Sequence, residues 1–317
     1  MSRLYRSSVD GSRPSIPVIT TDAERPGPSV AITANLHGDE CTGIGVVFRL
    51  RKILMDHLKR GTVHLYSSLN PDGLIHGTRE MPAVNADPNR AFPGRLNGNP
   101  LERHAWRIWQ DLIARKPELV VDLHTDSGAA IPYAIVDRVV RGLDAASLFE
   151  RCQHLAQASG LTVLREYPND QYRRYRLDRS LPGALVNGPG VAAVTLEVGP
   201  RGYIQRDAVD VATKAALGVL TEIGVCKRPA PRHPTIRTGG PWRRASGPAI
   251  SAPGIFLPSA APGDTLKSGE LIGTVRTTDG TIKQRLLAAR DGFLVALPER
   301  AWVKPGQTCA TIGIVDR

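Results

Sequence analysis

The sequence predicts a three-layer α/β domain, with a mostly parallel sheet between helices on both faces, followed by a small all-β domain. Two observations carry this prediction. From residue 28 to residue 225, apolar segments of strand length alternate with amphipathic segments of helix length. After Cys226 this alternation stops, and short β-like segments separated by glycine-containing turns follow.

The first repeating unit spans residues 28–69. Residues 28–36 form an apolar run of strand length, rich in β-branched residues early on. Residues 42–61 carry apolar side chains at helical spacing, and Gly61 is a suitable helix stop. Residues 62–69 predict a second strand, closed by an NPDG turn at 70–73. A β-α-β unit of this kind implies parallel strands with a right-handed crossover.

The same alternation continues along the chain. Three further segments of strand length are expected at 118–125, 131–137 and 191–199. Three further helices are expected at 101–116, 143–160 and 208–224. Together they predict an α/β domain over residues 1–228.

Two regions follow this domain. Residues 227–248 hold five prolines among basic and small residues, which is typical of a linker, so we assign the linker to 229–247. Residues 248–317 alternate short β-like segments with turns such as APGD, KSGE and KPGQ. This pattern predicts a barrel-like all-β domain.

Composition narrows the class of protein. With 41% hydrophobic and 22% charged residues in 317, the chain has the composition of a soluble globular protein. No apolar run approaches ~18 residues, so we expect no membrane-spanning helix. No secretory signal is visible, and four scattered cysteines fit a reducing compartment, so we expect a cytoplasmic protein.

The net charge of +11 has two interpretations. A nucleic-acid partner is one, but the basic residues are scattered and no RNA- or DNA-binding motif is present. A small anionic substrate explains the charge as well. We therefore expect no nucleic-acid and no membrane partner, and leave open whether the chain forms a homo-oligomer.

Chemically competent side chains follow three of the predicted strands. His37 and Glu40 come after the first strand, His124 ends the strand at 118–125, and Glu197 lies near the end of 191–199. Ligands of open parallel sheets bind beyond the carboxyl ends of the strands. Two imidazoles and one carboxylate are a common catalytic zinc set. Each residue alone could instead be a buried, backbone-satisfied histidine or a solvated carboxylate.

Six short motifs add a family resemblance. In order, they are HGDE (37–40), NPDG (70–73), GTRE (77–80), NRAFPG (89–94), DLHT (122–125) and TLEVGP (195–200). The sequence resembles the aspartoacylase/succinylglutamate desuccinylase family, a branch of the zinc carboxypeptidase-like hydrolases. The resemblance covers about residues 28–225, and the C-terminal β domain also looks like that of the family.

The resemblance implies roles for the residues at the strand ends. It implies one zinc ion per chain, bound by His37, Glu40 and His124, with Gly38 giving the loop room to turn back on itself. Glu197 matches the family's catalytic glutamate, which would pass a proton from water to the leaving amine. Asp122 either orients a metal ligand or has a structural role.

The resemblance also implies substrate contacts. Arg79 matches the arginine that stabilises the oxyanion, although the segment between Arg79 and Asn89 is longer than expected. Asn89 and Arg90 match the pair that holds the substrate's free carboxylate. The loop at 166–180 is either a solvated basic loop or a lid with a second anion contact. The arginines considered for that contact are Arg174, Arg176 and Arg179.

One departure concerns substrate recognition. Aspartoacylase places a tyrosine of its C-terminal domain near the substrate, but this sequence has no tyrosine after Tyr203. We therefore expect a zinc-dependent amidohydrolase for a small N-acyl amino acid or related carboxylate-bearing amide, without assuming aspartate specificity. The alternatives are a zinc carboxypeptidase that acts on short peptides and a non-enzymatic basic binding protein on a hydrolase fold.

Overall fold

The structure is a computed structural model. It describes residues 16–142, 144–227, 233 and 237–316, together with the backbone of residues 2–6. Of the predicted linker at 229–247, residues 229–232 and 234–236 lie outside the described residues. Among the helices of the described part, none combines the length and apolarity needed to cross a membrane.

A large mixed sheet organises the first 200 residues. Its strands here are β1 (Ser2–Arg6), β2 (Pro17–Asp22), β3 (Ser29–Ala34), β4 (Thr62–Tyr66), β5 (Leu119–His124), β6 (Tyr133–Val136), β7 (Thr162–Arg165) and β8 (Ala192–Glu197). The order is β1-β2-β4-β3-β5-β8-β6-β7. The four strands β4-β3-β5-β8 are parallel, whereas β2 and β6 join them antiparallel on either side. The α/β class is confirmed, with a sheet that is mixed.

Seven α-helices connect these strands in the described residues. They are α1 (Thr42–His57), α2 (Pro71–His76), α3 (Pro100–Ala114), α4 (Ala145–Gln157), α5 (Asn169–Arg174), α6 (Leu181–Asn187) and α7 (Arg206–Glu222). Helix α7 packs against α1 and α4, while α6 packs against β5 and β8. All six residues of β5 are buried, which requires cover on both faces of the sheet.

Local chemistry explains where two of these elements begin and end. The NPDG motif at 70–73 does not close a strand as a turn; it starts α2, because the Asn70 side chain accepts a hydrogen bond from the Gly73 amide. Helix α1 ends at His57, earlier than Gly61, because Leu58 is already extended. The predicted loop at 166–180 holds α5 and a short 3-10 turn, Leu177–Arg179.

The C-terminal strands divide between two sheets. They are β9 (Trp242–Ser246), β10 (Gly254–Pro258), β11 (Thr265–Leu266), β12 (Leu271–Arg276), β13 (Ile282–Leu287), β14 (Gly292–Ala296), β15 (Trp302–Val303) and β16 (Thr311–Val315). Strands β13-β12-β10-β15 form a small antiparallel sheet. Strands β9-β16-β14-β11 instead extend the large sheet to twelve strands, because β9 pairs in parallel with β7.

This pairing attaches the C-terminal strands to the α/β part. Strand β9 lies inside the predicted linker at 229–247, so that part of the linker is a hydrogen-bonded strand. A two-pronged ion pair adds to the attachment, since both terminal nitrogens of Arg138 lie 3.0 Å from the carboxylate oxygens of Asp316. Side chains of β9 are thereby held close to the carboxyl end of β7.

Candidate active site

The loop that carries His37 and Glu40 follows β3 and is held by Asn35. The Asn35 side-chain amide donates to the backbone carbonyls of His37 at 3.0 Å and of Gly38 at 2.9 Å. Its carbonyl oxygen accepts a hydrogen bond from the Ser68 hydroxyl at 2.6 Å. Asn35 has a positive φ of 56°, which asparagine tolerates better than most residues. The Asn35 side chain therefore holds the backbone of the loop that carries His37 and Glu40.

Gly38 lets this loop pack closely against the start of α2 because it has no side chain. A Cβ at this position would lie 2.0 Å from the backbone carbonyl carbon of Gly73, at the start of α2. Its φ does not lie in the left-handed region, so the expected need for a reversed backbone is not the reason for glycine here. The physical reason is the close approach of two backbones.

The three predicted metal ligands converge in the structure. The Glu40 carboxylate lies between two imidazoles, with Oε1 2.9 Å from Nδ1 of His37 and Oε2 2.8 Å from Nδ1 of His124. One ligand atom from each residue lies within 4.8 Å of the others, and all three side chains are buried. His124 reaches this point because β5 pairs with β3, placing the two strand ends side by side.

A carboxylate holds the far nitrogen of each imidazole. Nε2 of His37 lies 3.0 Å from Oδ1 of Asp87, and Nε2 of His124 lies 2.9 Å from Oδ2 of Asp122. Asp122 is held in turn by the Thr33 hydroxyl at 2.7 Å. With a metal bound at Nδ1, such contacts would keep the proton on Nε2 and fix the orientation of each ring. Asp87 was not identified from the sequence.

The electrostatics of this cluster suit a cation. Burial by itself would lower the pKa of His124, but the carboxylates of Asp122 and Glu40 raise it well above its ordinary value. The same negative charges would bind a divalent metal, which displaces protons from its ligands. Two imidazole nitrogens and one carboxylate fit a catalytic zinc site that keeps a position for water.

Glu197 lies at the end of β8, beside His124 in the parallel pairing of β8 with β5. Burial raises the pKa of Glu197 to about 8, helped by the charges of Glu40 and Asp126 and opposed by His124. Its Oε2 atom is buried and has no hydrogen-bond partner among the described residues. A carboxylate of this kind is suited to proton transfer.

The segment at 79–90 supplies the other predicted site residues. Arg79 donates to Oε1 of Glu40 at 2.9 Å and to Oδ2 of Asp87 at 3.2 Å. Asn89 accepts a hydrogen bond from the Leu181 amide at 2.7 Å. Arg90 donates to the carbonyl of Asn89 at 2.6 Å, and its guanidinium lies 3.9 Å from Asp87. All three predicted substrate contacts line the same cavity as the metal-ligand cluster.

These residues surround one cavity of about 120 Å³. Its lining includes the metal-ligand cluster, Thr195, Ile135 and Asp137. Asp137 lies away from Glu197, because Tyr133 at the start of antiparallel β6 pairs with Glu197 while Asp137 follows the end of that strand. Its charged lining residues are His37, Glu40, Arg79, Arg90, His124, Asp126, Asp137, Glu166, Glu197, Arg201 and Arg244. A small, highly charged cavity suits a small polar ligand.

Residues 26–223 match the family model of the succinylglutamate desuccinylase/aspartoacylase catalytic domain. The chain belongs to this family. This confirms the resemblance seen in the sequence and makes the protein a hydrolase of a deacylase family that acts on amide bonds. The order of motifs along the chain and the convergence of His37, Glu40 and His124 agree with that membership.

Individual relatives agree with the family. Over 296 residues the chain is 27% identical to an N-alpha-acetyl-L-2,4-diaminobutyric acid deacetylase from Halomonas elongata, covering 91% of this chain and 83% of that protein. It also resembles the product-bound structure of the ectoine utilization protein EutE (DoeB) from Ruegeria pomeroyi. That match has a TM-score of 0.81 at 21% identity and covers 98% of this chain and 93% of the other.

A further solved structure with lower similarity shares the fold of the chain. A metallo-carboxypeptidase from Burkholderia cenocepacia matches with a TM-score of 0.54 at 18% identity, over 70% of this chain and 64% of that one. At such identities the structural likeness shows the fold alone. The fold is accordingly carboxypeptidase-like, as the sequence predicted.

Arg174, Arg176 and Arg179, which we considered for a lid, lie outside the cavity that the other predicted site residues line. Arg176 donates to the carbonyl of Arg90 at 3.1 Å, and Arg179 donates to the carbonyl of Ala91 at 3.5 Å. Arg174 lies over the ring of Tyr175. None of the three is among the described residues that line the cavity. A direct substrate contact from them stays a prediction.

Five charged lining residues were not identified as site residues from the sequence: Asp126, Asp137, Glu166, Arg201 and Arg244. Arg244 comes from β9 and pairs with Glu166 at 2.9 Å, while Arg201 approaches Glu40 at 3.5 Å. Asp137 follows β6. Arg244 belongs to the basic WRR cluster at 242–244, but it lies in no family motif.

Proposed function

We propose that the protein is a zinc-dependent deacylase that hydrolyses the amide bond of a small N-acyl amino acid, releasing a carboxylate and the free amino acid. The observation that carries this proposal is the convergence of His37, Glu40 and His124 beside Glu197 at one end of a small charged cavity. Bound by those three residues, zinc supplies Lewis-acid catalysis for hydrolysis.

Glu197 is the proposed proton carrier. Its carboxylate would take a proton from the attacking water and deliver it to the departing amine nitrogen, which must leave protonated. The buried, unpartnered Oε2 atom supports this role, because no protein group competes for it among the described residues. Burial also makes the Glu197 carboxylate more basic than an exposed glutamate.

The arginines of the segment at 79–90 are proposed to bind the substrate's charges. Arg79 would stabilise the negative charge that develops on the carbonyl oxygen, since its guanidinium already lies against the metal ligand Glu40. Arg90 would bind the free carboxylate with help from Asn89, because its guanidinium is only loosely paired, at 3.9 Å from Asp87. Burial lowers the pKa of Arg90, and a substrate carboxylate would offset that cost.

The family and the named relative support this substrate class. Succinylglutamate and N-acetyl-diaminobutyrate, named by the family and by the Halomonas elongata relative, are both N-acyl amino acids. In each case the bond to be broken joins a small acyl group to an amino acid nitrogen. The cavity volume of about 120 Å³ is small, which favours compact substrates over peptides.

The carboxypeptidase alternative requires room for a peptide. The C-terminal strands restrict that room, because Arg244 of β9 lines the cavity. Glu299 accepts a hydrogen bond from the Gly128 amide at 2.8 Å, next to Asp126 in the cavity wall. A binding protein without activity is the other alternative, and the convergent His37, Glu40 and His124 cluster argues against it.

The test is a substrate panel offered to zinc-loaded protein, with released amine as the readout. The panel contains N-acetyl and N-succinyl amino acids, the matching C-terminal amides, and dipeptides and tripeptides. We expect hydrolysis of N-acyl amino acids and little of the peptides. Faster hydrolysis of peptides would favour the carboxypeptidase, and no hydrolysis of any member by zinc-loaded protein would overturn the proposal.

The carboxylate contact has its own test within this panel. Arg90→Ala should raise KM on the free acid with a modest change in kcat, because it removes a contact made equally in ground and transition states. On the C-terminal amide the same variant should change KM much less. The exposed Arg51→Ala is the matched control on both substrates. Equal hydrolysis of acid and amide by the unmodified protein would contradict carboxylate binding by Arg90.

A further inference from the structure

The far end of the cavity is built from two neighbouring strand ends. Asp137 directly follows β6 and Glu166 directly follows β7, and these two strands are parallel with Val136 opposite Arg165. The Glu166 amide donates to the carbonyl of Val136 at 2.9 Å, which keeps the two segments side by side. Both carboxylates line the cavity that contains the metal-ligand cluster.

The two carboxylates differ in their partners. Glu166 is paired with Arg244 at 2.9 Å and accepts the Tyr167 amide at 3.2 Å. Asp137 accepts one hydrogen bond, from the Tyr172 hydroxyl to its Oδ1 atom at 2.7 Å. In the described part of the chain, Oδ2 of Asp137 makes no hydrogen bond and Asp137 forms no ion pair. Only 5% of this residue is exposed, so water does little to compensate its charge.

Three of the four arginines that line the cavity already have carboxylate partners, and the fourth, Arg90, is proposed to bind the substrate's own carboxylate. Arg79 lies against Glu40 and Asp87, Arg201 lies near Glu40, and Arg244 lies against Glu166. Burial and the charge of Glu166 consequently raise the pKa of Asp137 to about 7. A positive charge placed at Oδ2 would stabilise both carboxylates.

We infer that Asp137 binds a side-chain ammonium of the substrate, so that the substrate is an N-acyl diamino acid. The inference rests on the proposed function, since it places the acyl amide at Glu197, the carboxylate at Arg90 and the ammonium at Asp137. An ammonium has three donors and satisfies Oδ2 of Asp137 with donors to spare. Tyr172 positions the Asp137 carboxylate through its hydroxyl.

The first test uses matched substrate pairs with the unmodified, zinc-loaded protein. Nα-acetyl-2,4-diaminobutyrate is compared with Nα-acetylnorvaline, and Nα-acetylornithine with Nα-acetylnorleucine, because each pair differs by an ammonium replacing a methyl group. For at least one pair, the cationic member should have the higher kcat/KM by a factor of about 10 to 10². Equal or better hydrolysis of both neutral members would overturn the inference.

The second test assigns that preference to Asp137. In Asp137→Asn the ratio of kcat/KM for cationic over neutral substrate should fall towards one, while the amide can still accept from Tyr172. Asp56→Asn, which removes an exposed carboxylate on α1, should keep the ratio of the unmodified protein. If Asp137→Asn kept the full ratio, another residue would bind the ammonium.

A third measurement does not depend on folding of a variant. Free 2,4-diaminobutyrate or ornithine should inhibit the unmodified protein at lower concentration than norvaline or norleucine, by a similar factor. Equal inhibition within both pairs would contradict the inference. Failure of the proposed function is distinguishable, because then no N-acyl amino acid of either charge would be hydrolysed.

Discussion

The two ends of the cavity are built by different means. At the metal-ligand end, each imidazole is held on both sides, His37 by Glu40 and Asp87 and His124 by Glu40 and Asp122. At the far end, Asp137 has one hydrogen bond and no cationic partner within the described part of the chain. The first end is organised before any substrate arrives, whereas the second offers a charge that a ligand would match.

This difference separates chemistry from selectivity. A hydrolytic centre gains from groups that are already oriented, because no reorganisation is then needed during reaction. A selective subsite gains from a buried polar atom that only the correct substrate satisfies, because other substrates leave it without a partner. In the proposed function, the His37 end therefore carries out the reaction and the Asp137 end selects the substrate.

The contrast between the two ends of the cavity requires that the His37 end binds a metal. His124→Ala should reduce bound zinc well below one ion per chain and abolish amide hydrolysis, because two ligands hold zinc far more weakly than three. Metal analysis of purified protein measures the first effect and amine release the second. His154→Ala, which removes an exposed histidine on α4, should retain full zinc. Zinc bound at one ion per chain in His124→Ala would refute the assigned ligand set.

Glu197→Gln separates proton transfer from metal binding at the same end. The variant should keep its zinc and lose a factor of about 10² or more in kcat, because the amide cannot accept and return a proton. Single-turnover rates and metal content together provide the measurement. Glu118→Gln, which alters an exposed glutamate, is the control. A turnover close to that of the unmodified protein would exclude Glu197 as the general base.

Asn35→Ala tests whether the first end is held in place by its surroundings. The variant loses the donor that fixes the carbonyls of His37 and Gly38, so zinc affinity should fall about 10- to 100-fold, as for other groups that orient metal ligands. Competition with a chelating dye measures the affinity.

The matched control for this variant is Asn99→Ala. It removes the N-terminal cap of α3 and should cost about 1 kcal/mol of stability. Since α3 carries no metal ligand, its zinc affinity should not change. Equal affinities in Asn35→Ala and Asn99→Ala would show that the loop at 35–40 does not need Asn35.

Arg244→Leu tests the far end, with the smallest expected effect. The variant leaves Glu166 without its cation, so the free energy of unfolding should fall by about 1–3 kcal/mol. Urea denaturation measures the change. The double variant Glu166→Gln/Arg244→Leu should recover part of the loss, because the unpaired charge is then gone. No recovery would mean that the Glu166 pair does not account for the effect of Arg244.

Much of the fold and the metal-ligand end followed from the sequence alone. Apolar patterns identified β3, α1, β4, β5 and β8, because burial on one face of a helix leaves a helical repeat and burial on both faces of a strand leaves a continuous apolar run. His37, Glu40, His124 and Glu197 could be grouped because they follow strands of one parallel sheet, whose carboxyl ends share an edge. The apolar pattern of the sequence and the rule that ligands bind at the carboxyl edge of a parallel sheet were enough to group these residues.

The rest was decided by the tertiary structure. Asp87 and Asn35 hold the metal-ligand loop through contacts of single side chains, which leave no periodic pattern. Arg244 reaches the cavity only because β9 pairs with β7 across nearly eighty residues of sequence. Asp137 lines the same cavity because β6 runs antiparallel to β8. Strand pairing between distant segments depends on the whole packed chain, so the residues proposed to choose the substrate emerged only from the fold.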